Sequence, residues 1–135
     1  MKGSAIVGIG TDIVDIRRLR RMNDEHRDRF TQKHLSSEEI AQLPGTNPET
    51  YIAGRYAAKE AIAKALGHRK FNYAGVTILN DGNGRPYIED PEALVRDREP
   101  RDEYTFHLSI SHEFDFAVAF VIIEKSHAQG TSGWI

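Results

Sequence analysis

The chain has 135 residues, of which 28% are charged and 39% hydrophobic, and its formal net charge is −2. This length and composition predict one soluble globular domain, and the near-neutral charge gives no global indication of a nucleic-acid partner. Cysteine is absent, which excludes disulfides, a thiol nucleophile and thiolate metal sites. No apolar run is long enough for a signal peptide or a membrane span, so we expect a cytoplasmic protein without a membrane partner.

The N-terminal region is predicted to be a strand followed by a helix. The stretch SAIVGIGTD is β-branched and punctuated by glycine, which predicts a buried strand that ends near Asp12. Asp15 is a suitable N-cap for a helix over residues 16–30, with Ile16 and Leu19 on its inner face.

Two further helices are predicted in the middle of the chain. Ser36 and Glu39 form a capping box that opens a short helix. A long helix is predicted over residues 48–66, with Asn47 as its N-cap and Gly67 just beyond its C-terminus.

The C-terminal half is predicted to consist mainly of strands. GVTILN and RPYIE flank the turn sequence DGNG and predict a hairpin, and PEALVRDR predicts a short surface helix. YTFHLSIS alternates, which predicts that Tyr104, Phe106, Leu108 and Ile110 face inward. FAVAFVII is apolar throughout and predicts a central strand covered on both faces.

This order of elements predicts an α+β fold in which an antiparallel sheet packs against the long helix. No internal repeat or linker interrupts the chain. We expect a single domain over residues 1–124 and a polar C-terminal tail over residues 125–135.

Asp12 is the first candidate functional residue. It follows a glycine-rich strand end, where a carboxylate can reach solvent and the backbone leaves room for a ligand. The alternative, which general N-cap preferences favour for an isolated aspartate, is that Asp12 caps the next helix.

The long helix carries four charges within the alanine-rich stretch GRYAAKEAIAKALG. Glu60 and Lys64 are spaced i, i+4, and Arg55 and Lys59 form a second such row on another side of the helix. Burying an unpaired charge is costly, so these side chains either face a crowded binding site or form ordinary surface pairs.

Two other stretches have both a functional and a structural interpretation. In SISHEFD, Ser111 and His112 are neighbours on a strand and point to opposite faces, which argues against a Ser–His nucleophile. His112 continues the inward parity of Ile110, which predicts a partly buried histidine. RRLRR, residues 17–21, is either a solvated helix face or a surface for an acidic partner or phosphates.

The motifs GIGTDIVDI, GRYAAKEAIAKALG, GRPYI and HLSISH together resemble those of the holo-acyl-carrier-protein synthases, the short-chain class of 4′-phosphopantetheinyl transferases. The resemblance covers residues 5–123. It implies the fold of that family and transfer of 4′-phosphopantetheine from coenzyme A to a serine of an apo-acyl carrier protein. It further implies magnesium as cofactor and release of adenosine 3′,5′-bisphosphate.

The resemblance assigns the metal site and the chemistry to three residues. Asp12 and Glu60 are similar to the magnesium ligands, and Lys64 to the catalytic lysine, with Glu60 or a water as the base. The longer members of the family have a second acid two residues after the strand aspartate, and Val14 stands there in this chain. We therefore expect a site with two carboxylates that does not include Asp15.

The resemblance also implies residues that bind the substrates. Arg55 and Lys59 are similar to residues that contact the nucleotide phosphates, His112 to a histidine near the nucleotide, and Arg18 to a contact with the carrier protein or carrier domain. Short members of the family are trimers with coenzyme A between subunits, so a homotrimer is expected.

Two other functions remain open from the sequence alone. A magnesium-dependent phosphohydrolase with an aspartate nucleophile requires aspartates two residues apart, whereas Asp12 and Asp15 are three apart. A module that binds nucleotide or carrier without catalysis requires no metal.

Overall fold

The computed structural model describes residues 2–98 and 102–128. The helices are α1 (Ile16–Arg20), α2 (Asp24–His34), α3 (Ser37–Ala41) and α4 (Pro48–Ala65), and the strands are β1 (Lys2–Asp15), β2 (Ile78–Asn80), β3 (Pro86–Ile88), β4 (Asp102–His112) and β5 (Phe116–Ala128). Short 3-10 turns occupy Tyr73–Gly75 and Pro91–Leu94. None of the helices in these two ranges is long and apolar enough to cross a membrane.

The strands form two antiparallel sheets. The larger sheet has the order β1-β5-β4, and the β2–β3 hairpin forms a small sheet of its own. The α+β fold and the hairpin are therefore confirmed. In the hairpin turn, the Asp81 carboxylate accepts hydrogen bonds from the amides of Asn83 and Arg85, and Gly84 has a φ of +79°.

Helix α4 lies across one face of the larger sheet, and small residues on both elements allow a close approach. A Cβ atom on Gly10 of β1 would lie 1.8 Å from the backbone oxygen of Ala61, and one on Gly8 would lie 2.0 Å from that of Ala65. Larger side chains at these glycines would push the helix away from the strand. This contact fixes the second half of β1, which includes Asp12, beside the C-terminal half of α4.

The core lies between α4 and the sheet. Side chains of β5 alternate, so that Ala117, Ala119, Val121 and Ile123 are buried against the helix. The other face of β5 is open, and the prediction that this strand is covered on both faces is wrong for the isolated chain. Several large apolar side chains are exposed on β1, on β5 and on the loop between β4 and β5: Ile6, Ile9, Ile13, Phe114, Phe116, Val118 and Phe120.

Helix boundaries were predicted less well than helix positions. The helix expected over residues 16–30 is divided into α1 and α2, because Asn23 caps a new helix by accepting from the amide of His26. Asp15 caps α1 as predicted, and Ile16 and Leu19 are buried. Asn47 precedes α4 but has a φ of +56° and makes no capping hydrogen bond through its side chain.

The ends of the sheet strands also differ from the predictions. β1 continues three residues past Asp12, to Asp15. β5 continues to Ala128, through the first four residues of the predicted tail, while residues 129–135 lie outside the described part of the chain. The domain limits at 1–124 stay a prediction.

Candidate active site

Asp12 and Lys64 meet where β1 passes the C-terminal half of α4. Lys64 Nζ donates to Asp12 Oδ1 over 3.1 Å and to the backbone oxygen of Thr11 over 2.9 Å. The side chains are 17% and 42% exposed, so a ligand can reach both. Partial burial raises the pKa of Asp12, the Glu60 charge raises it further, and Lys64 acts in the opposite direction.

Glu60 lies half-buried on α4, one helical turn before Lys64. Both side chains line an open cavity of about 570 Å³, which also includes Lys33, Lys70 and Tyr73; we call it the Glu60 cavity. Lys64 contacts Asp12 and lies one helical turn from Glu60, so the two carboxylates lie in the same region. Two carboxylates and several cations thus lie in one region of the surface.

The residues present fit a magnesium ion. Mg²⁺ commonly binds one or two carboxylates and completes its shell with waters and substrate phosphate oxygens, so Asp12 and Glu60 are a sufficient protein contribution. A divalent cation would also relieve the repulsion between these two carboxylates. Within residues 2–98 and 102–128, no group of three or more His, Cys, Asp or Glu side chains could hold a metal. The two-carboxylate site stays a prediction.

Asp15 is engaged elsewhere. Its carboxylate accepts from the backbone amide of Arg17 over 3.0 Å and from the Arg17 guanidinium over 2.9 and 3.0 Å. These bonds lower the pKa of Asp15 and cap α1. This placement also argues against an aspartate-nucleophile loop formed by Asp12 and Asp15.

Arg55 lies on another side of α4, in a second open cavity of about 480 Å³ that it shares with Tyr51, Asn80, Pro86 and His112; we call it the Arg55 cavity. The guanidinium carbon lies 4.6 Å from the centre of the Tyr51 ring, and Nη2 donates to Asn80 Oδ1 over 3.4 Å. Its Nε has no hydrogen-bond partner among the described residues. A buried donor without a partner is suited to bind an anionic ligand.

His112 lies at the exposed end of β4 and lines the Arg55 cavity. The strand parity of Ile110 predicted a partly buried histidine, and this expectation is wrong because the strand ends at His112 and leaves the side chain open. The structure therefore places His112 and Arg55 in one cavity, and their contact with the nucleotide stays a prediction. The Glu60 and Arg55 cavities have no lining residue in common.

Lys59 is not part of either cavity. Its side chain is fully buried, and Nζ donates to Glu39 Oε1 over 2.5 Å and to the backbone oxygens of His34 and Tyr73 over 2.9 and 2.8 Å. Burial lowers the pKa of Lys59, and the Glu39 carboxylate opposes this change. The expectation that Lys59 contacts nucleotide phosphates is wrong in this structure, because all three of its donors are used internally.

Residues 8–121 match the family described as the 4′-phosphopantetheinyl transferase superfamily. The chain belongs to this superfamily. It is 44% identical over 126 residues to the holo-[acyl-carrier-protein] synthase of Geobacillus kaustophilus, covering 89% of this chain and 90% of the relative. It is 40% identical over 125 residues to that of Shewanella denitrificans, covering 90% and 99%.

Solved structures of the superfamily agree with the fold. The holo-[acyl-carrier-protein] synthase of Neisseria meningitidis has a TM-score of 0.75 at 32% identity and covers 88% of this chain and 98% of its own. That of Bacillus anthracis, in complex with CoA (3′,5′-ADP), has a TM-score of 0.67 at 33% identity, with coverages of 88% and 96%. The family assignment made from the four sequence motifs is confirmed.

The basic stretch of this transferase lies on α1 and is only partly free. Arg17 pairs with Asp15, and Arg20 stacks over the ring of Phe114 at 4.2 Å. Arg18 is exposed and forms no ion pair with any residue that the structure describes. Arg18 is therefore available to an acidic partner.

Sequence reasoning missed two tyrosines beside Glu60. Tyr56 precedes Glu60 by one turn of α4, and this i, i+4 spacing could have indicated it. Tyr73 lies on a 3-10 turn thirteen residues further along the chain, and no local pattern connects it to Glu60. Burial raises the pKa of both phenols, and the nearby Glu60 charge raises it further.

Proposed function

We propose that this protein is a magnesium-dependent holo-acyl-carrier-protein synthase of the cytoplasm. It transfers 4′-phosphopantetheine from coenzyme A to a serine of an apo-acyl carrier protein or carrier domain, as in fatty acid biosynthesis. The observation that carries the proposal is the convergence of Asp12, Glu60 and Lys64 in a chain of this superfamily. Its similarity to holo-[acyl-carrier-protein] synthases supports the same reaction.

The transfer requires one bond to form and one to break. The serine oxygen attacks the phosphorus that carries pantetheine, and the bond from that phosphorus to the bridging oxygen breaks. Adenosine 3′,5′-bisphosphate leaves with the bridging oxygen. The serine proton passes to Glu60 or to a water near it, because a neutral hydroxyl is a weak nucleophile.

Asp12 and Glu60 are the proposed ligands of magnesium, which offsets charge on the pyrophosphate and on the leaving phosphate when it is bound. Lys64 is positioned to act on the same charge. Its ammonium group donates to Asp12 in the structure and is 42% exposed, so it can turn toward a phosphate oxygen that gains charge in the transition state. Lys64 then stabilises or protonates the leaving group.

Arg55 and His112 are the proposed contacts for the nucleotide part of coenzyme A. Contacts with Tyr51 and Asn80 fix the orientation of the Arg55 side chain before the ligand arrives. Its Nε is left without a hydrogen-bond partner among the described residues. A preorganised guanidinium binds phosphate with little loss of side-chain freedom.

The catalytic and nucleotide groups lie in different cavities of one chain, which favours a site shared between subunits. The open face of the larger sheet supports such an assembly, because Ile9 and Ile13 are 60% and 64% exposed and lie beside the outward side chains of β5. Exposed apolar patches of this kind commonly mark interfaces. We therefore propose a homotrimer in which the Glu60 cavity of one subunit faces the Arg55 cavity of its neighbour.

The direct test is conversion of an apo-acyl carrier protein, followed by intact-protein mass spectrometry. With coenzyme A and magnesium, the carrier should gain the mass of one phosphopantetheine on its serine, and chelation should prevent the gain. Asp12→Asn and Glu60→Gln should abolish conversion while the proteins stay folded, because each change removes a charge from a repulsive pair. Coenzyme A binding without any conversion of several different apo-carriers would contradict the proposal and favour a binding module.

A further inference from the structure

We propose that His34 binds the pantetheine arm of coenzyme A, with Nε2 of its ring accepting a hydrogen bond from an N–H or O–H group of the arm. This inference rests on the proposed function, since it takes coenzyme A as the substrate and Glu60 as a residue beside the reacting phosphorus. It assigns a task to a histidine that the proposed chemistry does not use.

The hydrogen bond that the His34 ring makes fixes which of its nitrogens is free. Nδ1 lies 2.8 Å from the backbone oxygen of Phe30, one turn earlier on α2. A carbonyl oxygen can only accept, so Nδ1 carries the proton, and Nε2 of the neutral ring is an acceptor. Burial lowers the pKa of His34, which keeps the ring neutral at physiological pH. His34 therefore offers an acceptor that no residue in the described ranges uses.

Contacts on several sides hold the ring in place. Its centre lies 4.2 Å from that of Phe30, 4.8 Å from that of Tyr56 and 6.0 Å from that of Tyr73. The backbone oxygen of His34 accepts from the buried Lys59 Nζ over 2.9 Å, which fixes the end of α2 against α4. Since Nδ1 faces its own helix, Nε2 faces away from that helix. An acceptor held in this way loses little freedom when a ligand binds.

The position of His34 suits a ligand that extends from Glu60. Both residues line the Glu60 cavity, together with the apolar side chains of Ala63 and Phe71. Coenzyme A carries its pantetheine arm on the phosphorus that the proposed mechanism places beside Glu60. The arm is a mainly aliphatic chain with two amides and one hydroxyl group, so it fits an apolar wall with a few hydrogen-bond partners.

The cavity has many donors and few acceptors for such an arm. Four of the lining side chains are cations that can only donate: Lys33, Lys64, Arg69 and Lys70. They can bind the carbonyl oxygens of the arm but not its N–H and O–H groups. His34 supplies the acceptor that those groups need, at a site fixed before the ligand arrives.

The test compares two ligands that differ only in the arm: coenzyme A and 3′-phosphoadenosine 5′-diphosphate, which lacks pantetheine. Their dissociation constants are measured by calorimetry with magnesium present, and thermal unfolding checks that each variant is folded. His34→Asn keeps a donor near the Nδ1 position and removes the acceptor, whereas His34→Gln places an amide oxygen within reach of the Nε2 position. His26→Asn is the matched control, because His26 is exposed on the same helix and lines neither cavity.

His34→Asn should raise the dissociation constant for coenzyme A about fivefold, as for loss of one neutral hydrogen bond, and leave that for 3′-phosphoadenosine 5′-diphosphate unchanged. His34→Gln should recover most of the affinity, and His26→Asn should bind both ligands like the wild type. The kcat at saturating coenzyme A should stay near the wild-type value in all three variants, because the bond is present both before and during transfer.

Wild-type affinity for coenzyme A in a His34→Asn protein would overturn the inference alone. An equal loss of affinity for both ligands would also overturn it, since the effect would then not depend on the arm. A wild-type protein that binds neither ligand would instead overturn the proposed function, and the inference with it.

Discussion

The two cavities on opposite sides of α4 differ in how their charged groups are held. In the Glu60 cavity, Lys64 is exposed and reaches out to Asp12, and the charge of Glu60 acts against that of Asp12. In the Arg55 cavity, a nearly buried guanidinium is fixed by Tyr51 and Asn80. The first arrangement can rearrange around charge that develops during a reaction, and the second is prepared for charge that is already present.

Lys59 lines neither cavity and has a third role. It neighbours Glu60 in the sequence, but a rotation of about 100° per residue turns it into the interior, where it pairs with Glu39. One helix thus carries a buried structural lysine and an exposed lysine, Lys64, that is proposed to be catalytic. The same substitution should lower the stability of the protein at Lys59 and the rate of transfer at Lys64.

The largest effect is expected for the stability of Lys59→Met. This change leaves the Glu39 carboxylate buried without its cation, which costs about 3–5 kcal/mol in comparable buried pairs. Urea unfolding should show the loss, while Lys64→Met should change the free energy of unfolding by less than about 1 kcal/mol. The double variant Glu39→Gln/Lys59→Met should recover part of the loss, because it removes the buried charge but cannot keep both hydrogen bonds from the amides of Ser36 and Ile78. Equal losses at the two lysines would contradict the comparison.

Lys64→Ala should have the next largest effect, which is a loss of turnover. Removing a group that stabilises transition-state charge costs about 10²–10³-fold in kcat in comparable enzymes. The dissociation constant for coenzyme A, measured by calorimetry, should change far less, because the charge that Lys64 meets appears mainly in the transition state. Weakened binding with intact turnover would make Lys64 a ground-state phosphate contact.

Arg55→Ala should show the opposite pattern. Loss of a charge-assisted hydrogen bond costs about 1.5–3 kcal/mol, so the dissociation constant for coenzyme A should rise about 10- to 100-fold. The kcat at saturating coenzyme A should stay near the wild-type value. An unchanged dissociation constant would remove Arg55 from the nucleotide site.

Arg18→Glu should have the smallest effect, which concerns the carrier alone. Acyl carriers of this kind are generally acidic, and an exposed charge at an interface mainly affects the encounter. The Michaelis constant for the carrier should rise several-fold, with that for coenzyme A unchanged, and the difference should shrink with added salt. Equal changes for both substrates would indicate a general loss of structure.

The sequence predicted which of the proposed catalytic residues lie near one another better than it predicted the buried contacts behind them. Glu60 and Lys64 could be placed together because helical spacing is a local property, and Asp12 joined them through the family resemblance. Lys59 was misplaced because its partner Glu39 is 20 residues away and lies in a capping box that is complete without it. The open face of β5 was also misjudged, since apolar residues on both faces of a strand do not reveal whether the second cover comes from the same chain.

The site shared between subunits is the central claim, and co-expression of two inactive variants tests it most directly. Glu60→Gln damages one cavity and Arg55→Ala the other, so each mixed trimer should contain one intact pair, which amounts to about one quarter of all sites after random mixing of equal amounts. Transfer activity at limiting coenzyme A should therefore rise well above that of either variant. Co-expression of Glu60→Gln with Lys64→Ala, which damage the same cavity, should restore nothing. If the Glu60→Gln and Arg55→Ala pair also restores nothing although mixed oligomers form, each active site lies within a single chain and the account is contradicted.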